Sequence, residues 1–136
     1  MLAVPEVQIK SSPDRLRRGE GTKLKITLTI PENFHIQAHK PAEEFLIPTE
    51  LTFKKVEGLE MSEPIYPEPI KLVTSWSEVL LLVYEGNTEI SVPIEVTKNA
   101  APGKREIQGI LSFQGCTPNL CLRPKVRKFT LTFSIL

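Results

Sequence analysis

Twelve prolines and seven glycines are scattered along the whole of this 136-residue chain, and they decide much of what it can become. Proline inside a helix removes a hydrogen bond and clashes with the preceding turn. Such spacing leaves no room for long helices and suits short strands joined by turns. Between the interruptions, apolar residues recur with period two. In TKLKITLTI, Leu24, Ile26, Leu28 and Ile30 fall on one face and Lys23, Lys25, Thr27 and Thr29 on the other, the pattern of a half-buried strand. TEISVPIEVTK repeats it, with Ile90, Val92, Ile94 and Val96 inward. Pro93 lies on its polar face and cannot donate to a ladder, which predicts an edge or bulged strand. EIQGILSF puts Ile107, Leu111 and Phe113 on one face, and RKFTLTFSIL closes the chain with Phe129, Leu131, Phe133 and Ile135 inward. Weaker strands are expected at EVQIK, around Phe34 to Ile36, at ELTFKKV and at VLLLVYE.

These segments amount to about seven to nine short strands with no credible helix, separated by turn signals such as EGN and APGK. They predict an all-β fold, an antiparallel two-sheet sandwich of immunoglobulin-like type, with a barrel as the alternative. The length fits a single domain over residues 1–136, large enough to bury a core without a disulfide or metal. One stretch breaks the rhythm. Residues 61–77, MSEPIYPEPIKLVTSWS, carry Pro64, Pro67 and Pro69 and read as a long ordered loop. Tyr66 and Trp76 are available there to lie over something; a loop that packs only its own side chains is the plain alternative.

Seventeen Lys plus Arg against sixteen Asp plus Glu leave a formal charge of +1, with no electrostatic footprint for nucleic acid or an anionic membrane. The most apolar run, VLLLVY, is strand-sized. The opening MLAVPE reaches charge and proline too soon for a signal peptide, so an exported form is expected to have lost its leader. No nucleophile elbow, glycine-rich phosphate loop or dinucleotide fingerprint occurs, and Asp14 is the only aspartate.

Chemistry concentrates in FQGCTPNLCLRP, which holds the only two cysteines, Cys116 and Cys121. Between them Pro118 and Asn119 suit the centre of a type I turn. A tight turn brings its flanking residues face to face, with Cα atoms about 4.5–5.5 Å apart, inside the range a disulfide needs, about 4.4–6.8 Å. A bridge closing so short a loop stabilises by only about 2 kcal/mol, which makes it a poor staple. Arg123 and Lys125 follow closely, and no acidic residue lies beyond Glu106; a cationic neighbourhood favours the thiolate that attacks disulfides. A structural disulfide in a secreted protein and a redox pair both remain open on spacing and charge. A zinc site would need His35 and His39 as well, but the cysteine spacing is wider than structural zinc sites use, and the H-x-x-x-H spacing suits a helix better than a strand.

The stretch ILSFQGCTPNLCLRP resembles the cysteine hairpin of the N-terminal domain of the thiol:disulfide interchange protein DsbD family. NFHIQAHKPAEEFLIPTEL, YPEP, VYEGNTEISVPIEV and APGKREIQGILSFQGC resemble other parts of that domain, so the likeness runs from about Gly19 to the end. Its specific motif is Phe113-Gln114-Gly115-Cys116 with Cys121. Family members often carry two prolines after the second cysteine; here Arg123 stands at the first position and Pro124 matches the second. The resemblance implies an immunoglobulin-like module on the oxidising, periplasmic side of a bacterial inner membrane, free or as part of a larger membrane protein. It implies a protein-disulfide reductase activity without a bound cofactor. Electrons would come from a transmembrane thiol reductase domain and pass to thioredoxin-like exported proteins, including a disulfide isomerase and a cytochrome c maturation protein. It further implies that Cys121 attacks the acceptor and Cys116 resolves the mixed disulfide, with Gln114, Gly115, Arg123 and Pro124 in support. It also implies a movable cap loop over the cysteines, for which residues 61–77, with Tyr66 and Trp76, are the candidate. The rival expectation is a β-sandwich binding module whose Cys116–Cys121 disulfide only stiffens a hairpin.

Overall fold

A computed structural model describes residues 6–74, 80–117 and 119–136. Among them there are eleven strands and no helix: β1 (Gln8–Ser12), β2 (Arg15–Leu16), β3 (Gly21–Thr29), β4 (His35–Gln37), β5 (Glu50–Phe53), β6 (Leu59–Met61), β7 (Ile70–Leu72), β8 (Leu81–Tyr84), β9 (Asn87–Val96), β10 (Gly103–Cys116) and β11 (Cys121–Ile135). The expected strands are all present. The additional ones are the short β2, β6 and β7, too brief to show a period.

The strands form two sheets. One runs β1-β3-β9-β6 and is antiparallel throughout. The other runs β2-β11-β10-β4-β8-β7, with β5 also paired to β10 and β2 lying parallel to β11. The alternating apolar residues of β3, β9, β10 and β11 meet between the sheets, where Leu24, Ile26, Leu28, Ile90, Val92, Ile107, Leu111 and Phe133 are buried in one cluster. This is the packing a two-sheet sandwich requires.

The structure corrects two expectations. β9 is not an edge strand; it lies between β3 and β6. The Pro93 carbonyl accepts from Ser62 on the β6 side, so its nitrogen faces that flank too. There the ladder lapses between Met61 and an isolated Ile65–Ser91 bridge, and no partner needs the missing N–H. Of residues 61–77, the described part, 61–74, is also more regular than a long loop. Ile65 bridges to β9 and Ile70–Leu72 pairs with β8, so the prolines fall between short pairings.

Candidate redox site

β10 and β11 form one long hairpin, paired from Gly103–Ile135 up to Cys116–Cys121. Near its tip the register slips. Gly115 alone separates Gln114 from Cys116, whereas Leu122 and Arg123 separate Cys121 from Pro124. The extra residue makes a bulge on β11 that also accommodates Pro124, which has no N–H to donate. The turn beyond is closed by Thr117, whose N–H donates to Leu120 O at 2.8 Å and whose Oγ1 accepts from the Asn119 and Leu120 N–H groups. Pro118 lies outside the described residues. Cys116 and Cys121 are bonded, with Cα atoms 4.0 Å apart, closer than tight-turn geometry led us to expect.

β4 brings the rest of the site to the cysteines. Its Phe34 flank and Ile36 point into the sandwich core, and the Phe34 ring lies so closely over Gly115 that a Cβ there would fall on it. Alternation then puts His35 and Gln37 on the outer face, where His35 pairs across from Cys116. Cys116 and Gln37 are both fully buried, at 0% exposure, whereas Cys121 is only partly buried. Gln37 Nε2 donates to Cys116 Sγ at 3.2 Å and reaches Cys121 Sγ at 3.8 Å. Its Oε1 is buried with no partner among the described residues.

The outer face is closed by the 39–48 loop. Thr49 ties its neck, donating N–H to Ala38 O and Oγ1–H to Gln37 O. Leu46 packs with Leu81, Val83 and Leu72 in a second, smaller apolar cluster, and Val83 is the cross-strand partner of Gln37. The Ile47 N–H donates to Gln114 Oε1 at 2.9 Å, while Gln114 Nε2 donates to Leu122 O at 3.2 Å. Gln114 thus clamps the loop to the hairpin.

The remaining candidates are placed as follows. Gly115 is the close-approach point under Phe34, and Arg123 and Pro124 are exposed at the bulge. Tyr66 stacks on His39, ring centroids 3.8 Å apart and 7° between planes. Its hydroxyl accepts the Leu51 N–H at 2.9 Å. Burial pushes the Tyr66 phenol above its ordinary value, partly offset by that hydrogen bond. Tyr84 is likewise raised by burial and accepts from His39 N–H. Trp76 lies outside the described residues. The two histidines have separate partners: His35 Nε2 meets Glu85 Oε2 at 2.8 Å, and His39 Nδ1 meets Thr49 O at 2.9 Å. Sequence reasoning missed Gln37 and the 39–48 loop. Nothing in NFHIQAH marks one glutamine as a sulfur neighbour 79 positions away.

A fully buried cysteine bonded to a partly buried one, with a buried amide donor aimed at both sulfurs, is an arrangement suited to thiol–disulfide exchange. Comparison with known proteins agrees in kind. The family described as "Thiol:disulfide interchange protein DsbD, N-terminal" matches residues 2–132, and the chain belongs to that family. The family and the bonded cysteine pair together support a thiol–disulfide exchange module. Among solved structures, it is similar to the reduced DsbD N-terminal domain of Neisseria meningitidis, with TM-score 0.50 and 16% identity over 96% of this chain and 87% of that one. It is also similar to the N-terminal periplasmic domain of ScsB from Proteus mirabilis, with TM-score 0.56 and 11% identity over 95% of this chain and 45% of that one. At such identities these two likenesses speak for the fold. A search of curated proteins finds no match.

Proposed function

We propose that this domain is an exported dithiol relay on the oxidising side of a bacterial inner membrane. It takes electrons from a membrane-embedded thiol reductase and passes them to disulfides of thioredoxin-like proteins. Family membership supports the reaction class, and the periplasmic ScsB domain is a precedent for the compartment. The observation that carries the reading is the asymmetry of the pair: Cys116 is fully buried, whereas Cys121 is partly exposed beside an exposed Arg123. Only Cys121 is reachable, so it is the sulfur that attacks the acceptor, and Cys116 is the one that resolves. Gln114 and Gly115 hold the hairpin tip against the loop and β4, and the bulge presents Arg123 and Pro124 to the partner. The 39–48 loop, backed by Tyr66 through its stack on His39, forms the cover that a partner displaces.

The test is the reduction potential of the pair, by equilibration with glutathione and mass spectrometry of alkylated thiols. A relay falls at about −270 to −180 mV, among thioredoxins and disulfide isomerases. A potential below about −300 mV would instead mark a structural bridge, and the domain would be a binding module.

A further inference from the structure

Gln37 is placed oddly for a purely structural residue. It is wholly buried, directs its nitrogen at both sulfurs, and leaves its oxygen buried without a partner among the described residues. Disulfide sulfur is a weak acceptor, so the oxidised state gains little from this donor while the orphaned oxygen costs stability. A thiolate carries a full charge, and hydrogen bonds to charged acceptors are about twice as strong as neutral ones. The amide therefore suits a state in which sulfur is negatively charged. We propose that Gln37 is a catalytic residue of the exchange, its Nε2–H stabilising the Cys116 thiolate in the resolving step. The inference rests on the relay reading above.

In that step the Cys121 thiolate has already attacked an acceptor disulfide, forming a mixed disulfide and releasing the acceptor's other sulfur as a thiolate. Cys116 must then attack Cys121 Sγ as a thiolate. The Cys116–Cys121 bond forms, the Cys121–acceptor bond breaks, and the second acceptor sulfur leaves as a thiolate. Two electrons pass to the acceptor, and the two protons lost by the dithiol balance the two its thiolates take up. Burial works against this, because an apolar environment disfavours the charged thiol. The ionisable groups nearby are committed elsewhere or exposed. His35, across from Cys116, bonds Glu85, and His39 bonds Thr49 O. Arg123 and Lys125 on β11 are open to solvent. Among the described residues the donor to Cys116 Sγ is Gln37.

The test follows reduced domain with excess dithiobis(nitrobenzoate), a model disulfide. Attack by Cys121 releases one chromophoric thiolate and resolution by Cys116 releases a second, so stopped-flow absorbance separates the steps. Gln37→Met keeps the volume while removing both the donor and the orphaned oxygen. It is expected to leave the first phase nearly unchanged and slow the second about tenfold near neutral pH, the effect of raising the thiol by about one pKa unit. The deficit should shrink as pH rises and the thiolate forms unaided. Gln37→Glu, which replaces the donor with a carboxylate, should slow the second phase further. A second phase unchanged in either variant overturns the proposal, as does one slowed equally at every pH, the mark of displaced structure. Should neither variant fold, Cys121→Ser decides with Gln37 intact. Its Cys116 thiol should titrate no higher than the ordinary value of about 8.5, and a clearly higher value overturns the proposal. Release of neither chromophore by wild type would instead overturn the relay reading, and this inference with it.

Discussion

Gly115→Ala is the sharpest single probe of how the fold builds the site. The added methyl would fall on the ring of Phe34, which is 2% exposed and wedged into the sandwich core. Neither side can yield cheaply. Gly115 is held between the β11 pairings of Gln114 and Cys116 and by its own pairing with Ile36, and interiors packed at crystal-like density have no spare room. Overpacking of this kind costs about 1–3 kcal/mol. For a domain of this size that is a fall in Tm of roughly 4–12 °C. The easiest relief is for Phe34 to swing away, drawing β4 and Gln37 off the sulfurs, so the second phase of dithiol exchange should slow as well. Urea denaturation of the oxidised protein measures the first effect. Phe34→Leu in the same chain should recover part of the loss, with a coupling energy of about 0.5–3 kcal/mol between contacting residues. A Gly115→Ala variant within about 0.5 kcal/mol of wild type, or strict additivity with Phe34→Leu, would refute this account of why glycine stands before Cys116.

Other perturbations have equally definite outcomes. Cys116→Ala should trap a mixed disulfide through Cys121 when mixed with an oxidised thioredoxin-like protein, whereas Cys121→Ala should trap none; non-reducing electrophoresis separates the two. Reducing the wild-type disulfide should lower the unfolding free energy by no more than about 2 kcal/mol, the chain-entropy value for so short a loop, as read from paired urea titrations. Alkaline pH should destabilise the domain. Burial holds the Tyr66 phenol above the ordinary tyrosine value of 10.0, so above that pH the unfolded chain releases a proton the folded one retains. Stability is then complete below about pH 10 and falls as pH rises through the folded value; Tyr66→Phe should flatten this decline in pH-dependent urea melts.

What could be read from the sequence was local. The period-two runs of β3, β9, β10 and β11 fixed which residues face the core, because strand alternation needs no knowledge of neighbours. The cysteine hairpin was legible for the same reason, as turn residues between two runs. Sheet order was not. Pro93 argued for an edge because a missing donor is usually tolerated there, but the gap beside it depends on where residues 62–64 pass, which is a tertiary matter. The bulge that sets Leu122 and Arg123 against Gly115 was hidden in the same way, since either register satisfies the pattern. Gln37 was the least visible. It sits in a three-residue strand, and its meaning comes from sulfurs at the far end of the chain.

The position of the disulfide explains how such a domain can cycle between oxidation states without unfolding. Neither cysteine belongs to the main apolar cluster, which is built from the facing sides of the two sheets. The sulfurs lie on the outer face of one sheet, beneath a loop held by a small cluster around Leu46 and by the hydrogen bonds of Gln114 and Thr49. Opening the bridge releases a loop too short to stabilise the chain by much, and the sandwich core stays closed behind Phe34 and Ile36. Local contacts of this number can open at a small fraction of the global unfolding free energy. Burial of Cys116 and partial exposure of Cys121 are thus compatible with one rigid scaffold: β4 and β10 fix the Cys116 sulfur, and the loop we propose as the cover is held above them by few contacts.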